Sequence, residues 1–108
     1  MATIDDLSKL DIRVGTFKSV EAVEGSEKLY KEIVDFGEEI GDRQILSGIQ
    51  KYFTPEELIG KQALFIVNLE PREMMGLASE GMLLATDNEN GPVLLSPEEQ
   101  VPNGSEIH

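Results

Sequence analysis

Side chains that could perform chemistry are sparse in this chain, and their types argue against catalysis. The single histidine is His108, the last residue of the sequence, and cysteine is absent. With one terminal histidine and no cysteine, the usual nucleophile–base pairs and zinc sites are missing. Ser79-Glu-Gly81 is not a nucleophile elbow, because that motif needs glycine on both sides of an x-Ser-x unit. The sequence therefore predicts a non-catalytic protein that needs no cofactor and no metal.

A second group of side chains is suited to binding a ligand, and it lies in a segment rich in Met and Gly. Arg72 follows Pro71, and its guanidinium can pair with a phosphate or stack on a base. Ser79 can contact a ribose hydroxyl or cap the loop, and Met82 can pack against a base or into the core. Asn68 can read a base edge or hold the loop backbone. Because long loops are costly to order, compact domains tend to keep them for binding.

The overall charge opposes binding to a polyanion. Nine Lys plus Arg stand against twenty-one Asp plus Glu, which gives a net charge of −12. Lys and Arg supply most nucleic-acid affinity by neutralising phosphates, so the chain as a whole should repel such a ligand at long range. Charges more than roughly 8–10 Å apart are screened at physiological salt. A local cationic patch can therefore still bind.

The length and the absence of targeting signals set the remaining limits. A chain of 108 residues is expected to form one domain over residues 1–108. No signal peptide is visible at the N-terminus, and the longest apolar run, Ala63 to Val67, is too short to cross a bilayer. With no cysteine, the chain fits a reducing compartment. We expect a soluble, cytoplasmic protein without a membrane partner.

Residue patterns predict many short strands and one internal helix. A helical lead-in over 3–9 is capped by Thr3, and a second helix begins at Thr54 with Pro55 and the capping-box residue Glu57. A bulge is expected near Phe17, where the alternation breaks. The predicted strands are 11–21, 29–36, 44–49, 62–69, 81–86 and 92–95. This pattern alone predicts an all-β fold that closes as a small barrel.

Six segments together resemble the tRNA-binding domain family of methionyl-tRNA synthetases and stand-alone tRNA-binding proteins, with CsaA as a more distant relative. The most characteristic is Asn68-Leu-Glu-Pro-Arg-Glu-Met-Met-Gly-Leu-Ala-Ser-Glu-Gly-Met-Leu-Leu-Ala-Thr86. The others, in matching order, are Leu10-Asp-Ile-Arg-Val-Gly15, Lys28-Leu-Tyr30, Arg43-Gln-Ile-Leu-Ser-Gly48, Tyr52-Phe-Thr-Pro-Glu-Glu-Leu-Ile-Gly-Lys61 and Val101-Pro-Asn-Gly-Ser-Glu-Ile107. The resemblance, with the helix after the third strand, implies a five-stranded OB-fold barrel with a C-terminal extension.

An OB barrel would place several cationic and aromatic residues around one open face. They are Lys28, Arg43, Lys51, Tyr30 and Tyr52. Together they would give the mixture of cations and stacking surfaces that single-stranded or looped RNA favours. The alternatives are that Tyr30 belongs to the core, that the lysines are solvated, and that Arg72 pairs with Glu70 or Glu73. The family tends to carry Lys or Arg at the position of Glu73, which argues for weak binding by the isolated chain.

Three functions stay open at this point. The resemblance implies a tRNA-binding module that recognises tRNA by shape and serves a methionyl-tRNA synthetase catalytic domain, in cis or in trans. The second is a homodimerisation or protein-docking module with little RNA affinity, using the apolar strand Ala63–Leu69 and the C-terminal segment. The third is a CsaA-like peptide-binding chaperone, which the ending Val101-Pro-Asn-Gly104 resembles.

Overall fold

The computed structural model describes residues 1–108, and most of its regular structure is β-strand. In chain order the elements are α1 (Ile4–Ser8), β1 (Ile12–Ala22), β2 (Tyr30–Asp35), α2 (Gly37–Ile40), β3 (Asp42–Ser47), α3 (Pro55–Leu58), β4 (Gln62–Ile66), β5 (Arg72–Met74), β6 (Leu77–Ser79), β7 (Met82–Leu83), β8 (Ala85–Asn88) and β9 (Gly91–Leu94). The main sheet has the order β3-β2-β1-β4-β7, and β5-β6 and β8-β9 form separate pairs. None of the helices has the length and apolarity that a membrane crossing requires.

The long strand β1 belongs to two walls of the barrel. Its first part, Ile12 to Thr16, pairs with β4, and the part from Thr16 to Ala22 pairs with β2. The register shifts between Phe17 and Ser19, which confirms the bulge expected near Phe17. Gly15 lies at this crossing, where a Cβ atom would approach Val34 Cγ1 to 2.5 Å. A side chain at that position would push the two walls apart.

Inward-facing residues of the strands fill the barrel with a small aromatic core. The Phe17 and Phe65 rings meet edge-to-face with centroids 5.6 Å apart, and Phe36 meets Phe65 at 5.2 Å. On β2 the buried residues alternate, so that Tyr30 and Val34 face inward with Glu32 between them. Alternation with period two is typical of a strand with one face on the core.

Side chains complete the barrel between β3 and the β5–β6 hairpin. The one backbone bond here runs from Glu80 N–H to Gln44 O at 2.8 Å. The Gln44 side-chain amide donates to Ala78 O at 2.8 Å, and the backbone N–H of Leu46 donates to Ser79 Oγ at 3.0 Å. The expected five-stranded barrel is confirmed, with a closure that is only partly a backbone ladder.

The C-terminal extension runs along β1 and is held by buried charge. Gly104 N–H donates to Val14 O at 2.7 Å, and Ile107 N–H donates to Ile12 O at 2.9 Å. Arg13, which is 7% exposed, lies 2.6 Å from Asp11 Oδ1 and donates to Gly104 O at 3.0 Å. The extension is therefore an integral edge of the fold.

The structure confirms the local helix signals and corrects the predicted loop. Thr3 caps α1, and Thr54 forms a capping box with Glu57, both as predicted from the sequence. The capping box that Thr3 forms with Asp6 was not predicted. The segment after Pro71 was predicted to be an irregular loop, which is wrong, because β5 and β6 form a hairpin there. Met75 and Gly76 have φ values of 53° and 77°, the two positive angles that a type I′ turn requires. The predicted strand over 81–86 is also divided, into β7 and β8.

Candidate nucleic-acid interface

The nine cationic side chains divide into two groups by their partners. Four form salt bridges with carboxylates: Lys9, Arg13, Lys18 and Lys31. The other five have no carboxylate partner: Lys28, Arg43, Lys51, Lys61 and Arg72. Four of these five are the cations that the sequence suggested for RNA contact. A cation without a carboxylate partner does not have to break an ion pair before it meets a phosphate.

Lys28 and Lys51 lie on two loops that contact each other at one end of the barrel. Gln50 N–H donates to Lys28 O at 3.1 Å, and the Gln50 side-chain amide donates to Ser26 O and Leu29 O at 3.2 and 2.7 Å. These bonds join the loop before β2 to the loop after β3. Both lysines are exposed. The fold therefore brings two unpaired ammonium groups to the same end of the molecule.

Arg72 is presented by the hairpin that the Met/Gly-rich segment forms. It is exposed at the start of β5, where it pairs with Ser79 of β6. The expected alternative, an ion pair with Glu70 or Glu73, is not formed. At the tip of the hairpin, the Met75 methyl group lies within 3.5 Å of the position that a Cβ on Gly25 would occupy. The hairpin thus reaches the same loop that carries Lys28.

Two of the predicted contact residues instead hold the chain together. The Arg43 guanidinium donates to the carbonyls of Val67 and Glu80, so it links β3 to the ends of β4 and β6. The Asn68 side chain accepts from Asp11 N–H and donates to Lys9 O, both at 2.8 Å. That arrangement is the backbone-holding alternative considered for Asn68. Arg43 Nη1 and the Asn68 amide are thus used within the fold, whereas Arg43 Nε and Nη2 have no partner in the chain. RNA contact by these two residues stays a prediction.

Ser79 is placed in the interior and leaves the predicted contact set. It is 2% exposed, and its Oγ accepts from Leu46 N–H at 3.0 Å and donates to Gly81 O at 2.9 Å. Both polar capacities of the hydroxyl are therefore used within the barrel. Its role is to join β3 to the hairpin that carries Arg72.

The Ser79→Ala variant is expected to be less stable than the wild type by about 1–3 kcal/mol, because it leaves the buried Leu46 N–H without a hydrogen-bond acceptor. Urea denaturation followed by circular dichroism measures this loss. Ser105→Ala is the matched control, since its exposed hydroxyl bonds only to Pro102 O at 2.6 Å. Equal stability losses for the two variants would contradict the bridging role of Ser79.

The two tyrosines have opposite environments. Tyr30 is 5% exposed and its hydroxyl donates to Phe53 O at 2.6 Å, so the core alternative holds for this residue. Tyr52 is 52% exposed and lies beside Lys51 in the chain. Met82 is half-buried in β7, where it pairs with Ile66 of β4. Of these three residues, Tyr52 offers the most accessible surface to a ligand.

One exposed cation without a carboxylate partner, Lys61, was not singled out from the sequence. Lys61 is exposed and forms no salt bridge. The pKa of Glu57 is lowered mainly by its hydrogen bonds with Thr54, and the charge of Lys61 adds to that effect. No pattern around Lys61 distinguished it from a solvated lysine. No group of three or more His, Asp or Glu side chains is arranged to hold a metal ion.

Comparison with known proteins identifies the family. Residues 12–106 match the model of the family described as "Putative tRNA binding domain", and the chain belongs to this family. The methionine–tRNA ligase of Caldanaerobacter subterraneus subsp. tengcongensis is 50% identical over 105 residues, which are 97% of this chain and 16% of that protein. That of Methanothrix thermoacetophila is 48% identical over 103 residues, 95% of this chain and 15% of that protein. The chain thus spans about one sixth of the curated relatives that it matches.

A solved structure of a MetRS-related protein from Pyrococcus horikoshii superposes with a TM-score of 0.90 at 38% identity, covering 100% of this chain and 98% of that one. The CsaA chaperone protein from Picrophilus torridus gives a TM-score of 0.92 at 34% identity, with both chains covered at 100%. The family expected from the sequence motifs is therefore confirmed. The solved relatives also include proteins described by a different activity, that of a chaperone.

Proposed function

We propose that this chain is a non-catalytic module that binds tRNA for methionyl-tRNA synthetase, in cis or in trans, in the cytoplasm. Membership of the tRNA-binding family supports the choice of ligand, and the relatives named as methionine–tRNA ligases support the choice of enzyme. The observation that carries the proposal is the exposed group Lys28, Lys51 and Arg72, defined here as the free-cation group. None of its members has a carboxylate partner.

The free-cation group answers the objection raised by the net charge of −12. A phosphate backbone that reaches this end of the barrel meets cations already available for pairing. Each neutralised phosphate releases a counterion, so binding depends on the local cations and weakens steeply with salt. Elsewhere the acidic surface repels the ligand, which orients its approach. Binding by the isolated chain is therefore expected to be weak and restricted to low salt.

Attachment to a synthetase compensates for weak binding. When a module and a catalytic domain hold the same tRNA, the second contact occurs at an effective concentration on the order of millimolar. The test has two parts: fluorescence anisotropy of labelled bulk tRNA with this chain at low salt, and aminoacylation by the parent synthetase with and without the domain. Undetectable binding together with unchanged aminoacylation would end the tRNA proposal.

The second candidate function, homodimerisation, is favoured by an uncovered apolar groove. The five-residue helix α1 buries none of its residues, and Ile4 and Leu7 are 84% and 52% exposed. With Leu10 and Ile107 they line a groove of about 400 Å³. An isolated helix shorter than roughly 12 residues is marginal in water, so a covered state is expected. The interface first expected combined the strand Ala63–Leu69 with the C-terminal segment. Ala63 and Phe65 are 0% exposed within the barrel, which argues against the strand, whereas Ile107 of the C-terminal segment lines the groove.

We propose a second copy of this chain as the occupant of the groove. In a two-fold pair each copy presents the same surface, so apolar residues of one copy meet apolar residues of the other.

Leu7→Glu is expected to convert the dimer to a monomer, because it places a charge in the apolar groove. Multi-angle light scattering measures the mass directly. Ile59→Glu is the matched control, since Ile59 is 47% exposed and lies outside the groove. A wild-type monomer, or a dimer that survives Leu7→Glu, would contradict this second proposal and leave the tRNA proposal intact.

A CsaA-like peptide-binding function is the remaining alternative, and similarity to a solved CsaA chaperone keeps it open. It is separated from RNA binding by competition. An unfolded peptide that displaces labelled tRNA at comparable concentration would favour this alternative.

A further inference from the structure

Tyr52 has an unusual position for an exposed aromatic residue. It is the one aromatic side chain among the large exposed hydrophobic residues. Its ring lies directly against Gly91 in the β8–β9 hairpin, where an added Cβ would be 2.6 Å from Cδ1 and 2.7 Å from Cε1. Gly91 also has a φ of 120°, which side chains rarely adopt. The hairpin backbone therefore supports one side of the ring at a distance that only glycine permits.

The hydroxyl group does not explain this position. The Tyr52 hydroxyl makes no hydrogen bond within the chain, whereas that of Tyr30 donates to Phe53 O at 2.6 Å. The ring of Tyr52 is not part of the aromatic core, which Phe17, Phe36 and Phe65 form. About half of the residue is left exposed. The structure thus holds a supported aromatic surface that the barrel does not use.

The charges around the ring are mixed. Lys51 precedes Tyr52, and the Gln50 N–H bond to Lys28 O brings the second lysine of the free-cation group to the adjoining loop. Glu56 and Glu57 line the same cleft as the ring. The Glu57 carboxylate accepts from Thr54 N–H at 2.9 Å and is occupied by the helix cap. Lys51 lines the cleft as well, so its charge is opposed there by two carboxylates. Contact within the cleft must therefore come mainly from the uncharged ring.

We propose that Tyr52, supported by Gly91 and with Lys51 beside it in the chain, is a stacking platform for one unpaired nucleobase of the bound RNA. The inference rests on the proposed tRNA-binding function and adds a requirement to it. Stacking on an aromatic ring is tolerant of base identity, because every base has a π-face. The ligand is then an RNA with an accessible unpaired base, recognised without preference for its sequence.

Tyr52→Trp provides a direct probe, because the chain contains no tryptophan. Bulk tRNA and a 12-nucleotide oligouridylate are titrated at low salt, and the tryptophan emission is followed together with the anisotropy of labelled RNA. Stacking predicts quenching that follows the same binding curve as the anisotropy. Tyr52→Phe, which keeps the ring, should bind tRNA like the wild type. Tyr52→Leu, which keeps apolar bulk, should bind about tenfold more weakly, within the range measured for aromatic–base stacking.

The outcomes separate this inference from the proposed function. The platform is overturned, and the tRNA proposal stands, if tRNA binds without changing the emission of the Tyr52→Trp variant and Tyr52→Leu binds tRNA like the wild type. If no RNA binds by either measurement, both are overturned. Quenching by an unfolded peptide but not by RNA would also overturn the platform. Tyr52→Leu is expected to remain folded, because the Gly91 contact lies outside the aromatic core, and thermal unfolding of the variant checks this.

Discussion

Replacing Glu32 by glutamine is expected to stabilise the protein at pH 8 by roughly 4 kcal/mol while leaving its stability at low pH almost unchanged. Glu32 is 0% exposed, and its Oε1 accepts from Ser47 Oγ at 2.9 Å while Oε2 has no partner. The pKa of Glu32 is raised from 4.5 to about 8 because burial disfavours the charged form, an effect that the opposing Ser47 hydrogen bond does not cancel. A buried carboxylate is costly without a cation, and none is paired with it.

The direction of the pH effect follows from these two pKa values. Below pH 4.5 the carboxyl is protonated in both the folded and the unfolded state, so it carries no ionisation penalty. Between pH 4.5 and 8 the carboxyl ionises in the unfolded state but stays protonated in the folded state, which stabilises the unfolded state. The free energy of unfolding therefore falls by about 1.4 kcal/mol per pH unit. Above pH 8 both states are ionised and the penalty stays constant.

Urea denaturation of wild type and Glu32→Gln at pH 5, 6, 7 and 8 measures the effect. The difference between the two free energies of unfolding should widen by roughly 3–4 kcal/mol across this range. Taking the difference removes the repulsion among the other carboxylates, which changes equally in both proteins. Glu89→Gln is the control, because it removes an exposed carboxylate that forms no salt bridge. A difference that does not vary with pH would show that Glu32 is ionised, or solvated, in the folded protein.

Arg72→Ala is expected to weaken tRNA binding by about tenfold at low salt, because a hydrogen bond to a charged group contributes roughly 1.5–3 kcal/mol. The slope of log affinity against log salt should also decrease by about 1, as one phosphate contact is lost. Anisotropy titrations of labelled tRNA between 20 and 150 mM salt measure both quantities.

Lys18→Ala is the matched control for Arg72→Ala. It removes the same charge from an exposed position, but Lys18 Nζ lies 2.7 Å from Asp42 Oδ2 and is already neutralised. Affinity and salt slope should therefore remain close to the wild type in this variant. Equal effects of the two substitutions would mean that only net charge matters, and that the hairpin makes no specific contact with RNA.

Local signals in the sequence predicted local structure well. Thr54, Pro55 and Glu57 lie within four consecutive residues, and they form the capping box that their spacing indicated. The bulge near Phe17 was also visible, because a break in alternation is a short-range feature. The β5–β6 hairpin was missed because its type I′ turn uses Met75 where Asn, Asp or Gly is usual. A positive φ at a methionine has no signature in the sequence.

Roles that depend on distant partners were not accessible from the sequence. Arg43 donates to the Val67 carbonyl, and Ser79 accepts from the Leu46 N–H. The partners in these two hydrogen bonds are 24 and 33 residues apart in the chain. Their residue types suited RNA contact equally well, so only the fold distinguishes the two roles. Glu32 did leave a signal, since it lies two residues from both Tyr30 and Val34 and therefore faces the same side of β2 as they do. The alternation of side chains along the strand would have predicted a buried carboxyl.

The most direct test of the account compares two triple variants with the same net charge. One replaces the free-cation group, Lys28, Lys51 and Arg72, by glutamate. The other replaces the salt-bridged lysines Lys9, Lys18 and Lys31, also by glutamate. Anisotropy with labelled bulk tRNA at low salt measures both against the wild type. The account predicts that binding is lost in the first variant and weakened only modestly in the second. Equal affinities for the two variants would contradict it.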